Sequence, residues 1–264
     1  MKIGFIGCGN MGKAIVSGIL GKGLVPAEDI YASESKPEIA DAVKEKFGIN
    51  TCCDNALVAS TADVLVLAVK PQVLPDVIPG IKDSIKDDTL IISICAGKRI
   101  KTLEEMFGRP VKLVRVMPNT PALVNEGMSG FCMNERVTEE DAALAKSILE
   151  SFGKARMVTE DLMDAVTALS GSSPAYIFMV IQAMTESAVS MGIPYDDALV
   201  FASQAVYGSA KLAMESDDDP LQLRINVCSP GGTTIEAVKV FEEKGLMDII
   251  KEGMEACRKR SSEL

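Results

Sequence analysis

The fold is decided by the stretch KIGFIGCGNMG at Lys2–Gly12. Its first half is a short apolar run typical of a buried strand, and its second half has the glycine spacing G-x-G-x-x-G. Apolar residues at helical spacing follow from Met11 to Leu20 and end at Gly21-Lys22-Gly23. A strand, a glycine turn and a helix in this order predict a dinucleotide-binding turn.

Each glycine of this turn has a predicted task. Gly7 makes the turn, Gly9 lets the backbone approach a pyrophosphate, and Gly12 lets the helix pack closely on the strand. Backbone N–H groups at the helix start would hold the phosphates. The candidate cofactor-binding residues here are Gly7, Cys8, Gly9, Asn10, Met11 and Gly12.

Composition narrows the class of protein. The 264 residues, 47% of them hydrophobic, suffice for one large or two modest globular domains. A net charge of −10 argues against nucleic acid as a partner. We find no apolar run of the ~20 residues that a membrane span needs and no secretory signal, so we expect a cytoplasmic protein without a membrane partner.

Cysteine and histidine usage restricts the chemistry. Seven cysteines without C-x-x-C spacing predict neither a disulfide framework nor a zinc site, and we expect no metal. There is no histidine, so any catalysis must proceed without imidazole.

Short apolar runs alternate with helical patterns in the first part of the chain. The predicted strands are Lys2–Ile6, Ile30–Ala32, Asp63–Ala68, Thr89–Ile94, Lys112–Val116 and Met128–Met133. From about Thr159 onward only helical periodicity is found, over 162–192, 195–214, 233–243 and 247–259. The pattern predicts an α/β fold: a doubly wound, mostly parallel sheet over 1–159, followed by an all-helical domain over 160–264.

The segment Ala175–Met191 is apolar on nearly every face of a helix. A helical domain of about a hundred residues has little means of surrounding such a helix. We therefore expect a second subunit to cover part of it; the alternative is a central helix within one chain.

Turn-forming residues follow several predicted strands. They include Lys70-Pro71-Gln72, Cys95-Ala96-Gly97 and Pro118–Pro121, at the edge where ligands of open α/β sheets bind. After the second strand, Glu34 is placed to hold the ribose hydroxyls of NAD, whereas Ser33, Ser35 and Lys36 offer donors for a 2′-phosphate. We predict NADPH as the cofactor, with NADH as the alternative.

A second motif, SPGGTTIE at Ser229–Glu236, resembles an anion receptor at the start of a helix. Two glycines let backbone N–H groups turn toward a ligand, and a small carboxylate would fit there. The alternative is a capping box between Thr233 and Glu236 that only closes the helix end.

Taken together, these motifs resemble those of the Δ1-pyrroline-5-carboxylate reductase family over the whole chain. The motifs are GCGNMG (Gly7–Gly12), AVKPQ (Ala68–Gln72), MPNTPALV (Met117–Val124), LSGSSPAY (Leu169–Tyr176) and SPGGTTIEAV (Ser229–Val238). The resemblance implies a Rossmann-type domain, an interleaved helical dimerisation domain, and homodimers that assemble further, into decamers. It also implies reduction of the cyclic imine pyrroline-5-carboxylate to L-proline, the final step of proline biosynthesis.

The resemblance further implies roles for individual residues. Ser33 and Asn55 would contact the adenosine end of the cofactor and Asn226 would reach it from the helical domain. The remaining cofactor contacts would come from Ala68, Val69, Lys70, Pro71 and Ala96. The implied substrate-binding residues are Glu160, Ser229, Gly231, Gly232, Thr233 and Thr234, with the Thr234 hydroxyl near the ring nitrogen as the catalytic group. A first-turn acid stabilised by a helix dipole is the alternative for Glu160.

The implied reaction agrees with the missing histidine. An imine that carries its own proton is already an electrophile, so hydride transfer needs orientation more than acid catalysis. Two alternatives remain. One is a hydroxyacid dehydrogenase, for which Lys70 is the candidate base, and the other is a non-catalytic redox sensor.

Overall fold

The computed structural model describes residues 1–263, and the chain separates into two compact units. The first unit comprises residues 1–172 together with the end of the chain from Cys257. The second unit comprises Ser173–Ala256.

The first unit contains one sheet of eight strands. They are β1 (Ile3–Ile6), β2 (Ile30–Ser33), β3 (Asn50–Cys52), β4 (Val64–Leu67), β5 (Leu90–Ser93), β6 (Lys112–Met117), β7 (Gly127–Met133) and β8 (Gly153–Met157). The spatial order is β3-β2-β1-β4-β5-β6-β7-β8. Every neighbouring pair is parallel except β6 and β7, so the predicted doubly wound, mostly parallel sheet is confirmed.

Twelve α-helices accompany the sheet within residues 1–263. They are α1 (Asn10–Gly21), α2 (Pro37–Phe47), α3 (Asn55–Thr61), α4 (Leu74–Ile81), α5 (Ile100–Phe107), α6 (Glu139–Glu150), α7 (Met163–Val166), α8 (Ser173–Ser190), α9 (Tyr195–Glu215), α10 (Pro220–Val227), α11 (Thr233–Glu243) and α12 (Leu246–Ser262). No strand follows β8 in the part of the chain described, as the periodicity predicted.

The core of the first unit lies on both faces of the sheet. All four residues of β1, β4 and β5 are buried, as expected for strands covered on two sides. Phe5 packs in the same cluster as Ile15 of α1, whereas Leu65 packs with Ile78 of α4. The alternation of side chains along β1 and β4 thus fixes which helices cover each face.

The strand order reverses between β1 and β4. Connections from β1 lead outward through β2 and β3, and the chain then returns to pair β4 with β1 on the other side. Ligands of open α/β sheets bind at the carboxyl ends of the strands at this switch point. The glycine turn after β1 lies there.

The structure adds three elements to the prediction and corrects a fourth. The strands β3 and β8 were not predicted, and neither was α10. The helix predicted over 162–192 is interrupted, because a π-helical turn occupies Thr167–Gly171 and α8 begins at Ser173. At this interruption Gly171 lies against Met117, where an added Cβ would come within 2.4 Å of the Met117 Cε.

Candidate active site

The glycine turn between β1 and α1 has the backbone that the motif predicts. Gly7 has a φ of +80°, and its N–H donates to the Ser33 carbonyl at 2.9 Å. A Cβ on Gly12 would lie 3.3 Å from the Gly7 carbonyl oxygen, so the helix is closely packed on the turn. A Cβ on Gly9 would meet no atom within 4 Å, which leaves open space above the turn.

The amino end of α1 faces that space without a capping side chain. Gly9 is its N-cap and carries no side chain to accept from the first N–H groups. The first turn, which includes Asn10, Met11 and Gly12, contains no acidic residue. The free N–H groups and the helix dipole therefore suit a phosphate, and these residues fit the predicted dinucleotide.

The end of β2 is held against this turn. The Glu34 carboxylate accepts a hydrogen bond from the backbone N–H of Cys8, and the Glu34 N–H donates to the Cys52 carbonyl at 3.0 Å. Ser33 is buried, and its hydroxyl donates to the Phe5 carbonyl at 3.4 Å. Asn55 begins α3 beside the N-cap Asp54, whose carboxylate accepts from two N–H groups of that helix.

The loops after β4 and β5 complete this edge of the first unit. The Ala68 N–H donates to the Ile6 carbonyl at 3.0 Å. The Val69 side chain lies close to Gly7, where a Cβ on that glycine would meet it. Lys70 is exposed, Pro71 starts a short 3-10 helix, and Ala96 is half-buried. The structure thus brings the predicted loop residues of the first unit to the edge where β1, β4 and β5 end.

The buried thiols of the first unit are poorly suited to redox or nucleophilic chemistry. Burial, with a contribution from Glu34, raises the pKa of Cys8 to about 12. Burial likewise raises the pKa of Cys95 to about 11 and that of Cys132 to about 11. These thiols stay protonated at neutral pH, and the thiolate is the reactive form.

Glu160 makes contacts within the first unit that the sequence did not indicate. Its Oε1 accepts from the backbone N–H of Ile100 at 2.7 Å and from the guanidinium of Arg115 at 3.0 Å. Arg115 belongs to β6 and its side chain is 6% exposed, so this carboxylate balances a buried charge. The sequence signal for this buried ion pair was Arg115 itself, a charged residue between two apolar residues of a predicted strand.

A surface groove of about 1210 Å³ borders this ion pair. Cys132, Glu160 and Leu162 are among its lining residues. The groove lies beside α5, β7 and β8 and not at the glycine turn, so its size does not identify the cofactor site.

In the second unit, the predicted anion receptor forms a tight turn before α11. Gly231 has a φ of +72°, and the Gly232 N–H donates to the Ser229 carbonyl at 3.0 Å. Gly232 therefore uses its own N–H to close the turn. The first N–H groups of the helix are those of Thr233 and Thr234, which have no intrahelical acceptor at a helix start.

The alternative capping box is not formed. Gly232 is the N-cap of α11 and no side chain caps it, while the Glu236 carboxylate pairs with Lys239 at 2.7 Å. The side-chain amide of Asn226, in α10, accepts a hydrogen bond from Gln222 and donates one to Asp218. The amino end of α11 is thus open to an anion.

Comparisons with known proteins agree with this geometry. Residues 160–264 match the family model for pyrroline-5-carboxylate reductase dimerisation, and residues 2–97 match that for NADP oxidoreductase, coenzyme F420-dependent. Pyrroline-5-carboxylate reductase of Escherichia coli (strain K12) is 45% identical over 263 residues, which are 100% of this chain and 98% of the relative. The chain belongs to the pyrroline-5-carboxylate reductase family.

Other members of the family show how widely the likeness extends. The reductase of Methanosarcina acetivorans is 42% identical and is covered over 97% of its length. A structure from Coxiella burnetii has 38% identity and a TM-score of 0.92, with 99% of this chain and 97% of the other covered. The Plasmodium falciparum pyrroline carboxylate reductase with NADP bound has 32% identity and a TM-score of 0.91, with coverage of 99% and 97%.

The comparisons confirm the predicted class of enzyme, its cofactor and the presence of a dimerisation domain. The chain is an oxidoreductase with NAD(P)H as its cofactor, and it carries a dimerisation domain. Within residues 1–263 no helix is long and apolar enough to cross a membrane. The same residues contain no group of three side chains able to hold a metal ion.

Proposed function

We propose that the protein reduces Δ1-pyrroline-5-carboxylate to L-proline, the final step of proline biosynthesis. The reduced nicotinamide, when bound, supplies a hydride to the imine carbon. The ring nitrogen, already protonated as an iminium, becomes the amine, so no side chain has to donate a proton. This accords with a chain that has no histidine.

The observation that carries the proposal is the open amino end of α11. The N–H groups of Thr233 and Thr234 combine with the helix dipole to attract a carboxylate. Ser229, Gly231 and Gly232 shape the turn that leaves this end uncapped. The Thr234 hydroxyl then lies in the same helical turn as the carboxylate donors, where it can orient the ring nitrogen.

The cofactor is assigned to the edge of the first unit described above. The uncapped end of α1 would bind the pyrophosphate, and the loops after β4 and β5 would line the nicotinamide half. Asn55 would contact the adenosine half, and the role of Asn226 stays a prediction from the family resemblance. Glu160 would support the substrate region through its ion pair with Arg115.

Two observations disfavour the alternatives. Lys70 is exposed, whereas a lysine that acts as a base needs desolvation, so a hydroxyacid dehydrogenase has no suitable base there. The uncapped amino end of α11 would have no use in a redox sensor that binds no carboxylate substrate.

The assembly is part of the proposal. In a single chain, α8 exposes Phe178, Met179 and Met184, and only Thr185 of that helix is buried. We assign this face to a homodimer contact, with decamers as the larger assembly and 1–159 and 160–264 as the functional domains. Free cysteines throughout the described residues fit a reducing compartment, which supports a cytoplasmic location.

The direct test is an absorbance assay with purified protein, pyrroline-5-carboxylate and either reduced cofactor. We expect loss of the reduced cofactor that depends on the imine and yields proline. A control reaction contains hydroxyacids and oxidised cofactor. Reduction of the cofactor there, with no imine-dependent oxidation, would favour the dehydrogenase instead.

A further inference from the structure

The carboxylate of Glu34 occupies the position from which the cofactor ribose is recognised. Glu34 directly follows β2, is half-buried, and accepts the N–H of Cys8 inside the glycine turn. Its own N–H donates to the Cys52 carbonyl at the end of β3. These bonds connect the ends of three neighbouring strands and fix the carboxylate beside the turn.

The Glu34 carboxylate is the main charged influence on the Cys8 thiol inside the turn. After burial, Glu34 has the largest influence on the pKa of the Cys8 thiol and raises it, whereas Lys13 and Lys46 each lower it by less. A second negative charge placed directly beside this carboxylate, at the end of β2, is therefore disfavoured.

The donors that could accept a 2′-phosphate are less favourably arranged. The Ser33 hydroxyl is buried and directed to the Phe5 carbonyl. Ser35 and Lys36 are exposed, so their polar groups are solvated. Of the three donors that led us to predict NADPH, one is used inside the sheet and two lie on the surface.

We propose that Glu34 determines the cofactor preference and makes NADH the better hydride donor. A carboxylate at the end of the second strand accepts hydrogen bonds from the ribose hydroxyls of NADH. The 2′-phosphate of NADPH carries close to two negative charges and would face that carboxylate. The inference rests on the proposed reductase function and reverses the preference predicted from Ser33, Ser35 and Lys36.

Binding can be measured without any turnover. We would titrate the protein with NADH and with NADPH and follow the nicotinamide fluorescence, in the absence of imine. The wild type should bind NADH at least about tenfold more tightly, and Glu34→Gln should shift the ratio toward NADPH by about tenfold or more. If Glu34 had only a structural role, Glu34→Gln would weaken the binding of both cofactors equally and leave the ratio of their affinities unchanged.

Glu38→Gln is the matched control. Glu38 is exposed in the first turn of α2, so this change removes the same charge four residues further along the chain. The ratio of NADH to NADPH affinity in Glu38→Gln should stay within about twofold of the wild-type ratio, because exposed charges are screened by salt. If Glu34→Gln does not fold, displacement of NADH from the wild type by ADP-ribose and by 2′-phospho-ADP-ribose gives the same comparison.

The outcomes separate this inference from the proposed function. Tighter binding of NADPH by the wild type, or an unchanged ratio in Glu34→Gln, would overturn the role of Glu34. Tight, selective NADH binding without reduction of the imine would leave that role intact and refute the reductase proposal. In the absorbance assay, kcat/KM for NADH should exceed that for NADPH by the same factor as the binding constants.

Discussion

Two adjacent threonines at the start of α11 have different tasks, and a pair of variants separates them. Thr234→Ala should lower kcat by about tenfold or more, because it removes a hydroxyl that orients the reacting nitrogen. Thr233→Ala should keep most activity and lower the free energy of unfolding by less than about 0.5 kcal/mol, since Thr233 caps no helix. Steady-state kinetics at saturating imine and urea unfolding measure both effects. Wild-type kcat in Thr234→Ala, with hydride transfer rate-limiting, would leave orientation to the backbone alone.

The glycines of the cofactor turn allow a similar separation of binding from folding. Gly9→Ala should leave stability nearly unchanged, because its φ of −67° suits alanine and its Cβ would meet no atom. The same methyl should weaken cofactor binding by about tenfold, since it fills the approach of the pyrophosphate. Gly7→Ala should instead destabilise the fold, because φ is +80° and the Cβ would lie 2.9 Å from Val69 Cγ1. Fluorescence titration and thermal unfolding of both variants check this; equal affinities for Gly9→Ala and wild type would contradict the assigned pyrophosphate site.

At the scale of single residues, the sequence predicted which residues form the cofactor turn better than it predicted the contacts that they make. The glycine spacing required a turn of the observed shape, because only glycine adopts the backbone of Gly7 without strain. The partner of Glu34 could not be predicted, since Cys8 lies 26 residues away and meets it only through the pairing of β1 with β2. For the same reason the sequence left the Ser33 hydroxyl free for a ligand, whereas the sheet directs it to Phe5.

At the scale of elements, Glu160 connects β6, α5 and the segment that leads into α7. Glu160→Gln should lower the free energy of unfolding by about 2 kcal/mol, because the buried Arg115 charge loses its partner while the site keeps some solvent access. KM for the imine should change little if Glu160 acts only through Arg115. Chemical denaturation and steady-state kinetics test both statements. A large rise in KM without loss of stability would instead show direct contact with substrate.

The control for this variant is Asp161→Asn. Asp161 is the next residue along the chain and makes a longer, exposed ion pair of 3.8 Å with Arg99. Exposed pairs of this kind contribute between about 0 and 1 kcal/mol. A stability loss as large as that of Glu160→Gln would mean that burial of Arg115 is not the cause.

Elements with strong periodicity were predicted, and weakly patterned ones were missed. β3 has only three residues and none is buried, while β8 buries Ala155 between exposed Lys154 and Arg156. In α10 the apolar residues alternate with polar ones, a spacing that does not indicate a helix; they are Leu221, Leu223, Ile225 and Val227. The interruption before α8 depends on the close approach of Gly171 to Met117, a tertiary contact that local pattern does not encode.

At the scale of the whole molecule, the two units differ in how well one chain can bury them. Both faces of the sheet in the first unit are covered by helices of the same chain, and its apolar side chains form two buried clusters. In the second unit, only three residues of α8 and α9 are buried: Ala198, Ala202 and Thr185. Uncovered apolar surface of this extent marks a protein interface, in agreement with the dimerisation domain that residues 160–264 match.

The final prediction concerns that assembly. Phe178→Asp with Met179→Asp places two charges on exposed apolar positions of α8, which are 61% and 70% exposed in one chain. If a second copy covers them, burying these charges is unfavourable, and the variant should dissociate to monomers or aggregate and lose activity. Ile39→Asp is the control, because Ile39 is an exposed apolar residue on α2 of the first unit, where a charge in the first helical turn is tolerated. Light scattering after gel filtration measures the mass of each form. An α8 variant with the mass and activity of the wild type would mean that the face of Phe178 and Met179 stays uncovered, and the dimer contact would have to be sought on another face.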